Sequence, residues 1–113
     1  MLLLCLNLRG EKLNIPDKII ISGMEYKVKL EEKPLFCDNQ RAYAHIDYDN
    51  KEISIDRGLQ DTQGQQQSLL HEILHGIVYD RELDFKNDGE ETIVDQISKG
   101  LYQLIKDNPD MFK

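Results

Sequence analysis

The stretch His71-Glu72-Ile73-Leu74-His75 reads H-E-x-x-H. Residues four apart on a helix lie one above the other, so this spacing lets two imidazoles reach one metal ion. Neutral imidazole suits zinc, and a zinc site built for hydrolysis keeps three protein ligands and leaves the fourth place to water. Glu72 follows the first histidine and is rotated toward the side where that water would lie. A carboxylate there takes a proton from the water and later passes it to a leaving amine. With 3 histidines and 9 glutamates in 113 residues, chance yields the pattern roughly once in 150 such chains. The motif alone is therefore suggestive, and its setting has to sharpen it.

A third ligand must come from elsewhere. Glu91 lies sixteen positions after His75, near the start of a second helix, and Asp95 follows four residues on. That spacing sets two carboxylates on one face, one to bind metal and one to accept the N–H of a ligating histidine. Glu90 competes for the ligand role, because its direction falls inside the apolar arc of that helix. Glu91 is preferred, since only it has a carboxylate partner one turn along. An acidic helix start that merely complements the macrodipole is the plainer reading of both. Tyr79, one turn beyond His75, is in reach to donate to an oxyanion or simply to pack. His45 shares a strand face with Tyr43, and a surface or core-edge position competes with a role in the cleft. Tyr48 is a weaker case of the same kind.

The elements that position these residues follow from periodicity. Thr62 with Gln65 fits a capping box, so the motif helix is predicted from about Gln63 to Arg81. Leu69, Leu70, Ile73, Leu74, Ile77 and Val78 fill one half of its circumference, with His71, Glu72, His75 and Tyr79 at the edge. The second helix is predicted from about Glu90 to Lys106, stopping before Asn108-Pro109. Its apolar arc holds Ile93, Val94, Ile97, Leu101, Leu104 and Ile105. Ahead of the helices, Ile19-Ile20-Ile21 ends at Ser22-Gly23, and Tyr26, Val28 and Leu30 then alternate with lysines, which predicts a hairpin. No period is visible from Glu31 to Gln40, and Pro34 discourages a helix there. Ala42, Ala44 and Ile46 share one face of a strand; Asp49-Asn50 turns, and Ile53 and Ile55 return. Strands first and helices after predict an α+β domain, a small mostly antiparallel sheet with the helices on one face.

Composition sets the outer bounds. The 113 residues predict a single domain over 1–113, and 40% hydrophobic with 31% charged residues is an ordinary soluble balance. A net charge of -7 argues against nucleic acid as a direct partner. Cys5 and Cys37 are too few and too far apart for a disulfide scaffold or zinc knuckle, which suits reduced thiols in a cytoplasmic protein. Leu2-Leu3-Leu4-Cys5-Leu6 has no basic residue in front and no small-residue cleavage site behind. It is far short of the ~20 residues that span a bilayer, so a buried strand or a partly ordered terminus is expected and a membrane is not.

With these residues in place the chain resembles the small zincin metallopeptidases of the ImmA/IrrE type, common in phages and mobile elements of Firmicutes. The resemblance covers roughly Ile15 to Pro109 and rests most on AYAHIDYDNKEISID, LLHEILHGIVYD and GLYQLIKDNP. It implies a minimal zincin-like fold, a gluzincin-like zinc site of His71, His75 and Glu91, and Glu72 as the catalytic residue. It implies a protein or peptide substrate; some members cleave a repressor encoded beside them. The DNA-binding or sensor extension of larger members is not expected from these 113 residues. Two functions follow as expectations: a zinc-dependent endopeptidase, or a catalytically inactive zincin-like module that binds another protein. The intact motif favours the first, and the small size favours the second.

Overall fold

The computed structural model describes residues 15–86 and 89–112. The Leu2–Leu6 run and Cys5 lie outside them. Among the described residues six strands precede two helices: β1 Lys18–Ile21, β2 Met24–Glu31, β3 Leu35–Cys37, β4 Gln40–Ala42, β5 Ala44–Asp47, β6 Glu52–Asp56, α1 Thr62–Asp80 and α2 Glu90–Asp107. A short 3-10 turn, Pro109–Phe112, follows. The domain is α+β, as expected. Among the described residues no helix is long and apolar enough to cross a membrane.

Local chemistry explains the turns. Ser22 and Gly23 both take positive φ (50° and 82°), the two-residue primed turn that suits the twist of a hairpin, and β1 pairs antiparallel with β2. In the β5–β6 hairpin the Asp47 carboxylate accepts from the backbone N–H groups of Asp49 and Asn50, which closes the expected turn. A third hairpin, β3–β4, occupies the stretch where no period was visible. Its turn residues Asp38 and Asn39 adopt φ of 52° and 66°, so Asp-Asn was the readable signal and the three-residue strands were too short to show alternation.

The main sheet runs β1-β2-β6-β5, with β2 and β6 parallel and the other two pairings antiparallel. Ile21, Tyr26, Val28, Ile46, Ile53, Ile55 and Leu69 form its buried cluster. Leu30, next to last in β2, is exposed rather than in the core. Ala42 belongs to β4, off the strand that carries Ala44 and Ile46.

Two details of the helices differ from expectation. The N-cap of α1 is Asp61, whose Oδ1 accepts from the Gly64 N–H at 2.8 Å, while the Gln65 amide reaches the carbonyls of Arg57 and Gln60. An aspartate one residue earlier satisfies the first turn and adds charge at the positive dipole end, so no Thr62 capping box forms. The buried side of α1 comprises Gln66, Leu69, Glu72, Gly76 and Val78, with Leu70, Ile73, Leu74 and Ile77 half-buried. In α2 the buried stripe is Val94, Ser98, Tyr102 and Ile105, while Ile97 and Leu104 face solvent. A serine and a tyrosine take core positions there because each has a partner: Ser98 Oγ donates to the Asp95 carbonyl, and Tyr102 Oη donates to Gln66 Oε1 on α1 at 2.9 Å.

Gly76 sets how closely α1 approaches the sheet. A Cβ there would lie 3.0 Å from Ile21 Cδ1 and 3.3 Å from Ile46 Cδ1. Gly76→Leu therefore wedges the helix off the sheet and lowers stability by about 1–3 kcal/mol, read as a lower urea midpoint. A parent-like midpoint would show that the helix is not held this close.

Candidate metal centre

His71 and His75 sit one turn apart on α1 with ring centroids 4.9 Å apart, and their Nε2 atoms approach to 3.2 Å. The first turn of α2 brings Glu91 to them. Its Oε1 lies 2.8 Å from His75 Nε2 and its Oε2 lies 3.1 Å from His71 Nε2. His71, His75 and Glu91 thus lie close enough to hold a metal ion, each offering an atom within 4.8 Å of the others.

The donor chemistry fits a cation. Glu90 Oε2 lies 2.7 Å from His75 Nδ1, so that nitrogen donates and a neutral ring leaves a lone pair on Nε2. That lone pair faces the Glu91 carboxylate and His71 Nε2, an arrangement satisfied by a second proton on the ring or by a metal ion among the three. The separations of 2.8, 3.1 and 3.2 Å are close to the ~3.3 Å edge of a tetrahedron whose ligands stand 2.0–2.1 Å from its centre. Burial pushes the His75 pKa down, but the carboxylates of Glu90 and Glu91 outweigh it and the net shift is upward. For Glu91 burial works upward, and the two imidazoles outweigh it to hold the carboxyl below its ordinary value.

The two acidic residues that competed for the ligand role thus occupy different places. Glu91 stands between the two Nε2 atoms, and Glu90 takes the outer nitrogen of His75. Asp95 was expected to accept from a ligating histidine. Its Oδ1 stays 3.6 Å from His71 Nδ1, beyond hydrogen-bond range, because Lys99 one turn along holds its other oxygen at 2.8 Å. The accepting geometry belongs to Glu90.

Glu72 is 9% exposed and contributes to the wall of a cleft of about 780 Å³. The cleft runs between α1, α2 and the edge of the sheet, past His71 and Glu91 and on to Tyr43 and Ala44 at the start of β5. Burial raises the Glu72 carboxyl above its ordinary value, partly countered by the neighbouring imidazoles of His71 and His75. Among the described residues none hydrogen-bonds to it.

No known protein family, curated protein or solved structure matches this chain.

Tyr79 and His45 do not join the cleft. Tyr79 stacks flat on Tyr48, centroids 4.0 Å apart and planes 3° apart, on the far side of His75. His45 lies near the Cys37 thiol, with Nδ1 3.7 Å from Sγ. Tyr48 supports the site from behind: its hydroxyl donates to the His75 carbonyl at 3.4 Å. Sequence reasoning missed the brace between Arg41 and Asp56. The guanidinium Nη2 reaches Asp56 Oδ2 at 3.1 Å, and the Gly58 N–H reaches Oδ1 at 2.8 Å. Burial of Asp56 works upward on its pKa, and these donors outweigh it to leave a lowered value. The brace fixes β4 at the cleft mouth, where Arg41 and Ala42 line the wall. Nothing in the local pattern marks it, since the partners are fifteen residues apart.

The geometry separates a ligand from its support. Glu91→Ala should abolish divalent metal binding, whereas Glu90→Ala should weaken it about 10–100-fold, the usual effect of losing a histidine's outer hydrogen bond. Competition titration against a chromophoric chelator reads both. Equal losses would place both carboxylates on the metal.

Proposed function

We propose that this chain is a zinc-dependent endopeptidase of the gluzincin kind. The observation that carries the reading is the convergence of His71, His75 and Glu91 on one point, with the buried carboxylate of Glu72 beside His71 and Glu91 in the cleft wall. His71, His75 and Glu91 would hold the zinc ion, which would supply Lewis acidity to a scissile carbonyl and make water a better proton donor.

The chain's own groups do the rest. Glu72 accepts the proton of the attacking water and returns it to the nitrogen of the leaving amine. Its buried setting keeps the carboxylate basic enough for both steps. Glu90 keeps the proton of His75 on Nδ1, leaving Nε2 free to ligate. Among the described residues β5 ends the four-stranded sheet and its outer backbone edge has no strand beside it, an edge along which an extended peptide would lie. The cleft also answers the objection from size, since it gives a chain of 113 residues room for a peptide segment. The resemblance to ImmA/IrrE-type proteins supplies the substrate class: a cytoplasmic repressor of a phage or mobile element.

Glu72→Gln separates cutting from binding. The amide keeps the shape but takes no proton, so zinc content and fold should persist while cleavage of a repressor or an unfolded protein falls about 10²–10⁴-fold. A variant that cuts as fast as the parent removes Glu72 from the chemistry. A parent that holds zinc and cuts nothing, with its biological effect preserved in Glu72→Gln, favours the protein-binding module instead.

A further inference from the structure

Behind His75, on the side of its Nδ1, lies a second hollow of about 420 Å³ lined by Tyr48, Val78, Tyr79, Glu82, Leu83 and Glu90. It shares no lining residue with the cleft of the metal centre. The parallel stack of Tyr48 on Tyr79 builds its aromatic wall. Tyr79 is 54% exposed, so one side of that stack is open.

The charged residues that line the hollow, Glu82 and Glu90, are both acidic. Among the described residues Glu82 forms no ion pair, and Glu90 pairs only with His75. A flat, electron-rich ring flanked by carboxylates attracts a cation that can stack and hydrogen-bond at once. The chain already satisfies one cation nearby in this way. Lys51 Nζ lies 5.7 Å from the Tyr26 ring centroid and donates to the Tyr48 carbonyl at 2.6 Å. The net charge of -7 draws basic partners toward the surface.

We propose that this hollow binds the cationic side chain of an arginine or lysine from another polypeptide, its charged head against the Tyr79 ring and within reach of Glu82 and Glu90. The guanidinium of arginine fits best, because its plane stacks on the ring while its fork meets a carboxylate. The site stands on its own residues and does not need the peptidase reading. It extends that reading if the basic residue belongs to the substrate.

The test titrates N-acetyl-arginine amide into the full chain and follows the ring signals of Tyr48 and Tyr79 by NMR, with the uncharged citrulline analogue as control. The arginine compound should give saturable shifts and the citrulline compound none. Tyr79→Leu and Glu82→Gln should each weaken binding about 5–10-fold, while Tyr79→Phe retains it. Equal shifts from citrulline, or full affinity in Tyr79→Leu with native far-ultraviolet circular dichroism, overturn the proposal. A second arm finds the source of the cation. If it belongs to the substrate, the arginine amide displaces a peptide held in the cleft of the zinc-loaded Glu72→Gln protein; if it belongs to a separate partner, the peptide stays. Both results keep the hollow's chemistry. Failure of the peptidase reading removes only this second arm.

Discussion

Two imidazole nitrogens and a carboxylate stand 2.8–3.2 Å from one another across the junction of α1 and α2, and such electron-rich groups stay together only with positive charge among them. The rest of the fold holds that junction. Gly76 lets α1 lie against Ile21 and Ile46, so the histidines are carried on a helix that cannot roll. Tyr102 on α2 donates to Gln66 on α1, a buried hydrogen bond that sets where the first turn of α2, and with it Glu91, comes to rest. Glu90 then holds the outer nitrogen of His75. Taking these carboxylates and rings partly out of water is costly unless their charges and hydrogen bonds are matched. The matching is what fixes the geometry.

The sequence made the helical half of this arrangement legible because its information is local. A four-residue spacing of histidines has one meaning on a helix, and the apolar run around it identifies the helix. The hairpins at Ser22-Gly23 and at Asp49-Asn50 were legible for the same reason, since turn chemistry and alternation both lie within about ten residues. The β3–β4 hairpin was not, because strands of three residues carry less than two periods of alternation.

What could not be read depends on contacts distant in the chain. The parallel pairing of β2 with β6 joins the two hairpins through their inner strands, and nothing in either strand states it. On α2 hydrophobicity was a poor guide to direction. It placed Ile97 and Leu104 inward, whereas the buried stripe runs through Ser98 and Tyr102. The angle assigned to Glu90 rested on that misplaced arc. With the stripe through Val94, Glu90 and Glu91 stand one turn before it, four and three residues back. Both therefore reach the histidines, and only the distances tell which atom each one meets.

Three glutamates within one site show how far environment, and not residue type, sets a role. Glu72 is buried, and removal of water raises its proton affinity. Glu91 is mostly open to solvent, yet the two imidazoles stabilise its charged form and lower its pKa. Glu90 meets His75 at Nδ1, where a carboxylate orients the ring without competing for Nε2. In the proposed reaction these differences sort the roles. The carboxylate that binds protons most readily is suited to carry them, and the one held ionised is suited to a cation. The third, turned to the back of the ring, also borders the aromatic hollow beside Tyr79. A cation seated there would draw on the same carboxylate that orients His75, so its binding and that of a metal ion would be linked through Glu90, each changing the other's affinity by the same factor.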